Sequence, residues 1–347
     1  MREQTANGQT HLDYIDFLNI FACFGVICLH CSGAVFHFEE SRLWFISMFV
    51  QTVFHFAVPV FFMVSGANLL EYRARYDTKT FFKKRLMRTG VPFLFWSVFY
   101  LFLPCILNGA SLPTAVMLRN AVFNNEANYI FWFFYAIFGI YLSMPILSLL
   151  AKKENFKVIS YLCLLSYFFN GLLPCITKFG FPITGWIVPP IVSGYIGYVF
   201  LGWLIRYETF SKRTRICVYI SGALGAVLMF FGTWLLSKKG EGTDILFMEY
   251  NSVACFPLSA AVMLGAKHFP WRVVYRVIPQ KIVSKISSTT LGIYVMHMLC
   301  LSVTERFGVL TAHPIYAMVI FPPIIFLLCM AVALLLSKIP IVKRIVP

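Results

Sequence analysis

Apolar runs, broken by short stretches crowded with Lys and Arg, recur along the whole chain. Crossing about 30 Å of hydrocarbon as a helix takes about 20 such residues. Ten blocks are expected to do so: residues 14–35, 46–69, 90–108, 130–150, 157–175, 187–205, 214–236, 245–265, 286–308 and 314–336. Barrel strands are excluded, since they need only alternating segments of about 10 residues. The first block has too long an apolar core, and no small-residue cleavage pattern, to be a cleaved signal peptide. No interruption is long enough for a soluble domain and no internal repeat is visible. Residues 1–347 therefore read as one all-α, polytopic integral membrane unit of about ten helices.

Charge sets the expected orientation. With a cytoplasmic N-terminus, the inward segments hold 23 of the 29 Lys and Arg: Arg2, the run Arg73 to Arg88, Lys152 to Lys157, Arg206 to Arg215, Lys267 to Lys285 and Lys338 to Arg344. The outward segments keep only Arg42, Arg119, Lys178, Lys238, Lys239 and Arg306. This is the positive-inside pattern, and it puts both termini in the cytoplasm. Composition agrees, with 59% hydrophobic and 12% charged residues and a mean hydropathy of +0.77. The net charge of +15 thus expresses membrane topology rather than nucleic-acid binding. Most of the ten cysteines sit inside apolar runs, where Cys behaves as a small hydrophobe, and the cluster Cys28, His30 and Cys31 has no second group to complete a metal site. No metal is expected.

Candidate chemistry begins where polar residues enter the apolar blocks. Eleven residues at about 100° each return His30 to within about 20° of Asn19, and fourteen bring it within about 40° of Asp16. Such a stripe is costly against lipid and should face the bundle interior or a wet cavity. In SSTTLGIYVMH, Tyr294 and His297 lie one turn apart in the ninth block. Two buried histidines on helices running the same way can line one chamber, and neutral imidazole can take a proton from a hydroxyl near pH 7. The plainer alternative is that each merely hydrogen-bonds a neighbouring helix. Arg85 and Arg88, three apart ahead of the third block, are placed to grip phosphates, although their charge also suits an anionic lipid surface.

The segments YIDFLNIFACFGVICLH, VPVFFMVSG, FFKKRLMRTGVPF, FWFFYAIFGIYLSMPIL and TTLGIYVMH, in this order, resemble the membrane-bound acyltransferase 3 family. The resemblance covers nearly the whole chain and is closest to the branch that O-acetylates surface polysaccharides, the enterobacterial common antigen O-acetyltransferases among them. It implies a ten-helix enzyme of the bacterial cytoplasmic membrane that takes an acyl group, usually acetyl, from cytoplasmic acyl-CoA and delivers it to a hydroxyl of a surface or lipid-linked glycan. By this resemblance His30 is the essential histidine, Arg85 and Arg88 hold the donor phosphates, and Ser65, Gly66, Asn68 and Leu69 form the element after the second block. Gly292, Ile293, Tyr294 and His297 form the late motif. The catalytic set expected is His30, Asp16, His297 and Tyr294; the donor-binding set is Arg85, Arg88, Asn19, Ser65 and Trp132.

Two departures stand out. Asn19 occupies a position where the family generally has a basic residue, and YIFWFF keeps Trp132 but has Ile130 in place of a polar histidine. Asn19 hydrogen-bonds without neutralising charge, which alters donor grip. The route, direct transfer or transfer through an acyl-histidine, is open at this level, as is the oligomeric state. Two other functions compete: a transporter or flippase, which also uses polar residues at the midplane and proline-interrupted helices, and a non-catalytic membrane sensor on the same scaffold.

Overall fold

The computed structural model describes residues 12–184, 187–306, 308 and 313–347. Arg2 and position 307 of the ninth block lie outside them. Among the described residues there is no β-strand, and seven helices are long and apolar enough to cross a membrane: Asp13–Cys31, Arg42–Ala74, Thr78–Asn108, Tyr129–Leu150, Lys153–Lys178, Lys212–Ser237 and Pro314–Leu336. Gln280–Ser288 and Thr290–Arg306, bent by 57°, make an eighth if they form one span. Large apolar side chains such as Leu142, Ile146, Leu164 and Val319 stay on the outer faces of these helices, a lipid-facing surface that a water-soluble bundle would bury. The chain is an all-helical, multi-pass membrane protein.

The remaining two apolar blocks are shorter helices. Ile196–Tyr207 has 12 residues and Cys255–His268 has 14. Each is preceded by backbone that is not α-helical, at 187–195, which holds the 3₁₀ turn Pro190–Val192, and at 245–254. Conversely, the third helix starts well before its apolar block. Asp77 caps it by accepting the Thr80 N–H at 3.1 Å, so that the basic run is helical, and it ends on Gly109 at φ 66°, the left-handed C-cap that glycine adopts without strain. A π-turn at Leu86–Gly90 interrupts it. Pro92 cannot donate to the carbonyl of Arg88 and crowds it, which favours the widened turn there.

The polar stripe of the first helix faces another helix pair. Asp13 accepts from Gln280 at 2.8 Å, Asp16 from Ser284 at 2.5 Å, Asn19 donates to Ser287 at 3.3 Å, and Cys23 to the Thr290 carbonyl at 3.4 Å. The His30 and His297 rings complete the series, 5.2 Å apart. A constant sequence offset means that the two elements run side by side in the same direction. The bend between Ser288 and Thr290 has a local cause. Ser288, Thr289 and Thr290 each donate their hydroxyl to the carbonyl three residues back, at 2.7, 2.8 and 2.9 Å, which competes with the helical ladder.

Gly66 explains the VSG element. A Cβ there would lie 1.8 Å from the Val199 carbonyl oxygen, and one on Gly202 would lie 1.9 Å from that of Met63. The two glycines let Ala57–Leu69 and Ile196–Tyr207 touch backbone to backbone. At one end of the bundle Glu71 accepts from Trp203 and Tyr207, at 3.1 and 2.6 Å, and Lys267 donates to the carbonyls of Ile205 and Glu208. At the other end Lys238 pairs with Glu40 at 3.0 Å and Lys178 with Asp244 at 2.8 Å.

Candidate active site between two cavities

Two cavities lie along the first helix. One, of about 400 Å³, is walled by Asn19, Ser65, Asn68, Arg75, Arg85, Arg88, Tyr141, Ser287 and Tyr294. The other, of about 420 Å³, is walled by His30, Gln51, His55, Tyr129, Trp132, Glu249, Tyr250 and Tyr294. Phe133 and Tyr294 line both, so these two rings, with centroids 5.6 Å apart, form the partition. Asn19 in the first cavity and His30 in the second are separated by about 16 Å of helical rise.

In the arginine cavity, Arg85 is held by aromatic faces. Its guanidinium carbon lies 5.8 Å from the centre of the Tyr141 ring and 6.0 Å from that of Phe81, a cation–π arrangement. Its Nε has no hydrogen-bond partner among the described residues, so a buried donor is left over for an anion. The π-turn carries Arg88 on to the same wall. Ser65 faces this space while its neighbour Gly66 is used up in packing.

In the histidine cavity, His30 Nδ1 lies 2.8 Å from the Tyr129 hydroxyl. With Nδ1 so engaged, Nε2 is the nitrogen available to a substrate. Tyr294 is anchored by donating to the Ile130 carbonyl at 2.7 Å. His297 is fully buried and stands behind His30, lining neither cavity. Its Nδ1–H donates to the Tyr294 carbonyl at 2.5 Å, which leaves the Nε2 lone pair without a partner among the described residues. A neutral imidazole with one free lone pair is a proton acceptor.

The structure therefore brings Asn19, Ser65, Arg85, Arg88 and Tyr294 together, and separately His30, Trp132 and Tyr294, with His297 touching His30. Trp132, grouped in sequence with the donor side, lines the histidine cavity, where its ring stacks on Tyr250 with centroids 5.6 Å apart. Asp16 lines neither cavity, and its carboxylate is engaged with Ser284. Residues that the sequence reading passed over include Tyr129 and His55. His55 sits at the break between Arg42–Phe54 and Ala57–Leu69, hydrogen-bonds the Met248 carbonyl and stacks on Tyr250 at 4.8 Å. Its signal was the same as that of His30: an imidazole inside an apolar run.

The described residues thus form a multi-pass helical bundle in which a cationic cavity and a histidine cavity meet at one aromatic partition. The comparisons with known proteins name the class. Residues 12–339 match the acyltransferase 3 family, described as an acyltransferase domain, and the chain belongs to this family of membrane acyltransferases. Over 150 residues it is 32% identical to an amino-acid racemase of Enterococcus faecalis, a match covering 42% of this chain and 20% of that protein. The chain thus spans about a fifth of the length of that curated relative. No solved structure matches it.

Proposed function

We propose that the protein is an O-acetyltransferase that moves an acetyl group from cytoplasmic acetyl-CoA to a hydroxyl of a surface or lipid-linked glycan. One observation carries this reading: the arginine cavity and the histidine cavity are separate spaces that meet at Tyr294. The donor phosphates lie against Arg85 and Arg88, and the pantetheine arm runs past Asn19 and Ser65 toward the partition. The distance from Asn19 to His30 is of the same order as that extended arm. The glycan enters the other cavity, where Trp132, Tyr250 and Tyr129 offer aromatic faces and Glu249 a carboxylate, a combination suited to a sugar.

In the reaction the acceptor hydroxyl attacks the thioester carbonyl, a C–O bond forms and the C–S bond breaks. The hydroxyl proton passes to Nε2 of His30 and from there to the departing thiolate. Tyr129 is the positioning residue that fixes the imidazole. His297, with its free lone pair beside His30, supports the base from behind. Separate cavities favour direct transfer, since both substrates fit at once. Segments expected to face inward meet one another at one end and segments expected outward at the other, which supports a ten-pass topology in which Ile196–Tyr207 and Cys255–His268 complete the crossings, and the basic excess of the first group is the reason to place it, with the N-terminus, in the cytoplasm.

The test is transfer of radiolabelled acetyl from acetyl-CoA in membranes, combined with mass spectrometry of surface glycans and lipid-linked intermediates from cells with and without the gene. Loss of an acetyl mark on a glycan is expected. Unchanged glycans together with no consumption of acetyl-CoA refute the reading.

A further inference from the structure

A third cavity, of about 1070 Å³, opens beside the arginine cavity and shares Arg85 and Arg88 with it. Its other walls carry Lys83, Lys84, Lys285, Lys343 and Arg344, and no Asp or Glu is among the described residues that line it. These cations come from three parts of the chain: the start of Thr78–Asn108, the helix Gln280–Ser288, and the segment after Pro314–Leu336. Their convergence in one recess, with no acidic side chain among the described residues lining it, makes a field suited to an anion of several charges.

The last segment is built into the fold. Trp96 donates its indole N–H to the Ile345 carbonyl at 2.9 Å. Val346 is buried against Gly292, where a Cβ would come within 2.6 Å of the Val346 Cγ1. Gly292 belongs to the helix that carries Tyr294 and His297. The same glycine that lets the tail dock therefore fixes Lys343 and Arg344, in the short turn Val342–Arg344, at the mouth of the recess. Ordinary surface cations of a membrane protein have no such anchoring.

We propose that Lys285, Lys343 and Arg344 form a second phosphate subsite, distinct from the Arg85/Arg88 pair, that recognises the ribose 3′-phosphate of coenzyme A. The inference rests on the donor reading above and follows from the order of groups along the ligand. The thioester end must reach the partition at Tyr294. The diphosphate, next along the ligand from the pantetheine, then falls at the junction of the two cavities, where Arg85 and Arg88 line both. The 3′-phosphate lies beyond it on the ribose, on the side of the recess away from the partition. A monoanionic lipid phosphate shares the chemistry and is the other source of such a ligand.

The experiment measures equilibrium binding of coenzyme A and of 3′-dephospho-coenzyme A to the full chain in nanodiscs of zwitterionic lipid. The proteins compared are the wild type, a Lys343→Gln/Arg344→Gln variant and, as a surface-charge control, a Lys152→Gln/Lys153→Gln variant, whose two lysines are exposed and line none of the three cavities. The expected result is that the tail variant binds coenzyme A about ten-fold more weakly, the combined scale of two charge-assisted phosphate contacts near solvent, and binds the dephospho form like wild type, which also shows that it is folded. Wild type should prefer coenzyme A over the dephospho form by a similar factor. Equal weakening toward both ligands, or a control variant that weakens like the tail variant, overturns the subsite. An unchanged tail variant also overturns it while leaving the donor reading intact. Wild type that binds neither ligand overturns both. A parallel series adds anionic lipid to the nanodiscs and measures the lipid retained with the purified protein; if coenzyme A affinity is unchanged and the tail variant alone retains less anionic lipid, the recess holds a lipid headgroup and the nucleotide subsite is wrong.

Discussion

Replacing His30 by Gln and, separately, Tyr129 by Phe separates the base from the group that orients it. Gln keeps hydrogen bonding at similar size but accepts no proton at neutral pH. Loss of a general base costs about 100- to 10,000-fold in rate. Tyr129→Phe removes one hydrogen bond, the 2.8 Å contact with Nδ1, and leaves the ring in place. A bond of that kind contributes about 0.5 to 1.5 kcal/mol, or about 2- to 12-fold at 1.36 kcal/mol per decade. The two variants should therefore differ by at least about ten-fold in turnover, with the same affinity for coenzyme A, because neither residue lines the arginine cavity. Initial rates of acetyl transfer in membranes give turnover, and binding to detergent-purified protein gives affinity. If His30→Gln keeps more than a tenth of wild-type turnover, His30 is only a structural hydrogen-bonder. If Tyr129→Phe falls as far as His30→Gln with binding intact, the phenol itself moves the proton and the roles assigned here are reversed.

Asn19→Arg should be tolerated and should lower the KM for acetyl-CoA several-fold, since position 19 opens on the arginine cavity; aggregation of the variant would show that the site has no room for a longer side chain. Gly66→Ala should depress the thermal midpoint of extracted protein sharply, because its methyl group would collide with the Val199 carbonyl and overpacking costs about 1 to 3 kcal/mol or more; an unchanged midpoint would refute the backbone contact. Phe133→Ala should open the partition between the cavities, lowering acetyl transfer and raising acetyl-CoA hydrolysis several-fold as water reaches the thioester; tight coupling retained in the variant would mean that Phe133 is not part of the barrier. The hydrogen bond from Lys238, and then that from Trp234, hold the Glu40 carboxyl below its usual range. For Asp244 burial acts upward, but the Lys178 hydrogen bond and charge outweigh it and the net shift is downward. Depressed carboxylates stabilise the fold above the unfolded value and lose that contribution as pH falls through the folded one, so the difference in thermal midpoint between wild type and a Glu40→Gln/Asp244→Asn variant should be constant from pH 8 to 5 and shrink only below about pH 4. Shrinkage of that difference already between pH 7 and 5 would contradict this.

Much of the bundle was legible from hydropathy alone, because lipid and core both demand apolar side chains. For the same reason hydropathy could not tell a full crossing from a buried turn. Residues 187–195 and 245–254 are as apolar as the helices that follow them, yet they are not α-helical, and the second of these wraps the histidine cavity through Met248, Glu249 and Tyr250. The basic run before Val91 falls outside the apolar block 90–108 because it is charged, yet it is helical, since Lys and Arg are good helix formers and Asp77 supplies the cap. In the site, helical angle correctly grouped Asp16, Asn19 and His30 on one face. It said nothing of what stands opposite each. Asp16 meets Ser284, Asn19 opens on the arginine cavity, and only His30 reaches the other cavity. Lys83 and Lys84, which look like bystanders to Arg85 and Arg88 in sequence, share a cavity with them.

The short segment Tyr129–Phe133 ties the two cavities together. It begins as a 3₁₀ turn, Tyr129–Phe131, in which residues three apart eclipse, and so Tyr129 and Trp132 fall on one wall, that of the histidine cavity. Within these five residues Tyr129 holds the His30 imidazole, the Ile130 carbonyl holds the Tyr294 hydroxyl, Trp132 stacks on Tyr250, and Phe133 closes the partition. Phe131, fully buried between Phe93 and Tyr100, pins the segment. Any displacement of it moves the base and the barrier together. Asn19 and Ile130, the two positions where the family resemblance leads one to expect a basic residue and a histidine, sit on either side of this junction, Asn19 on the cationic cavity and Ile130 on the histidine cavity. On the proposed reading both border a substrate space and neither replaces a member of the imidazole pair, so restoring a cation at position 19 is expected to act on donor binding rather than on the proton transfer.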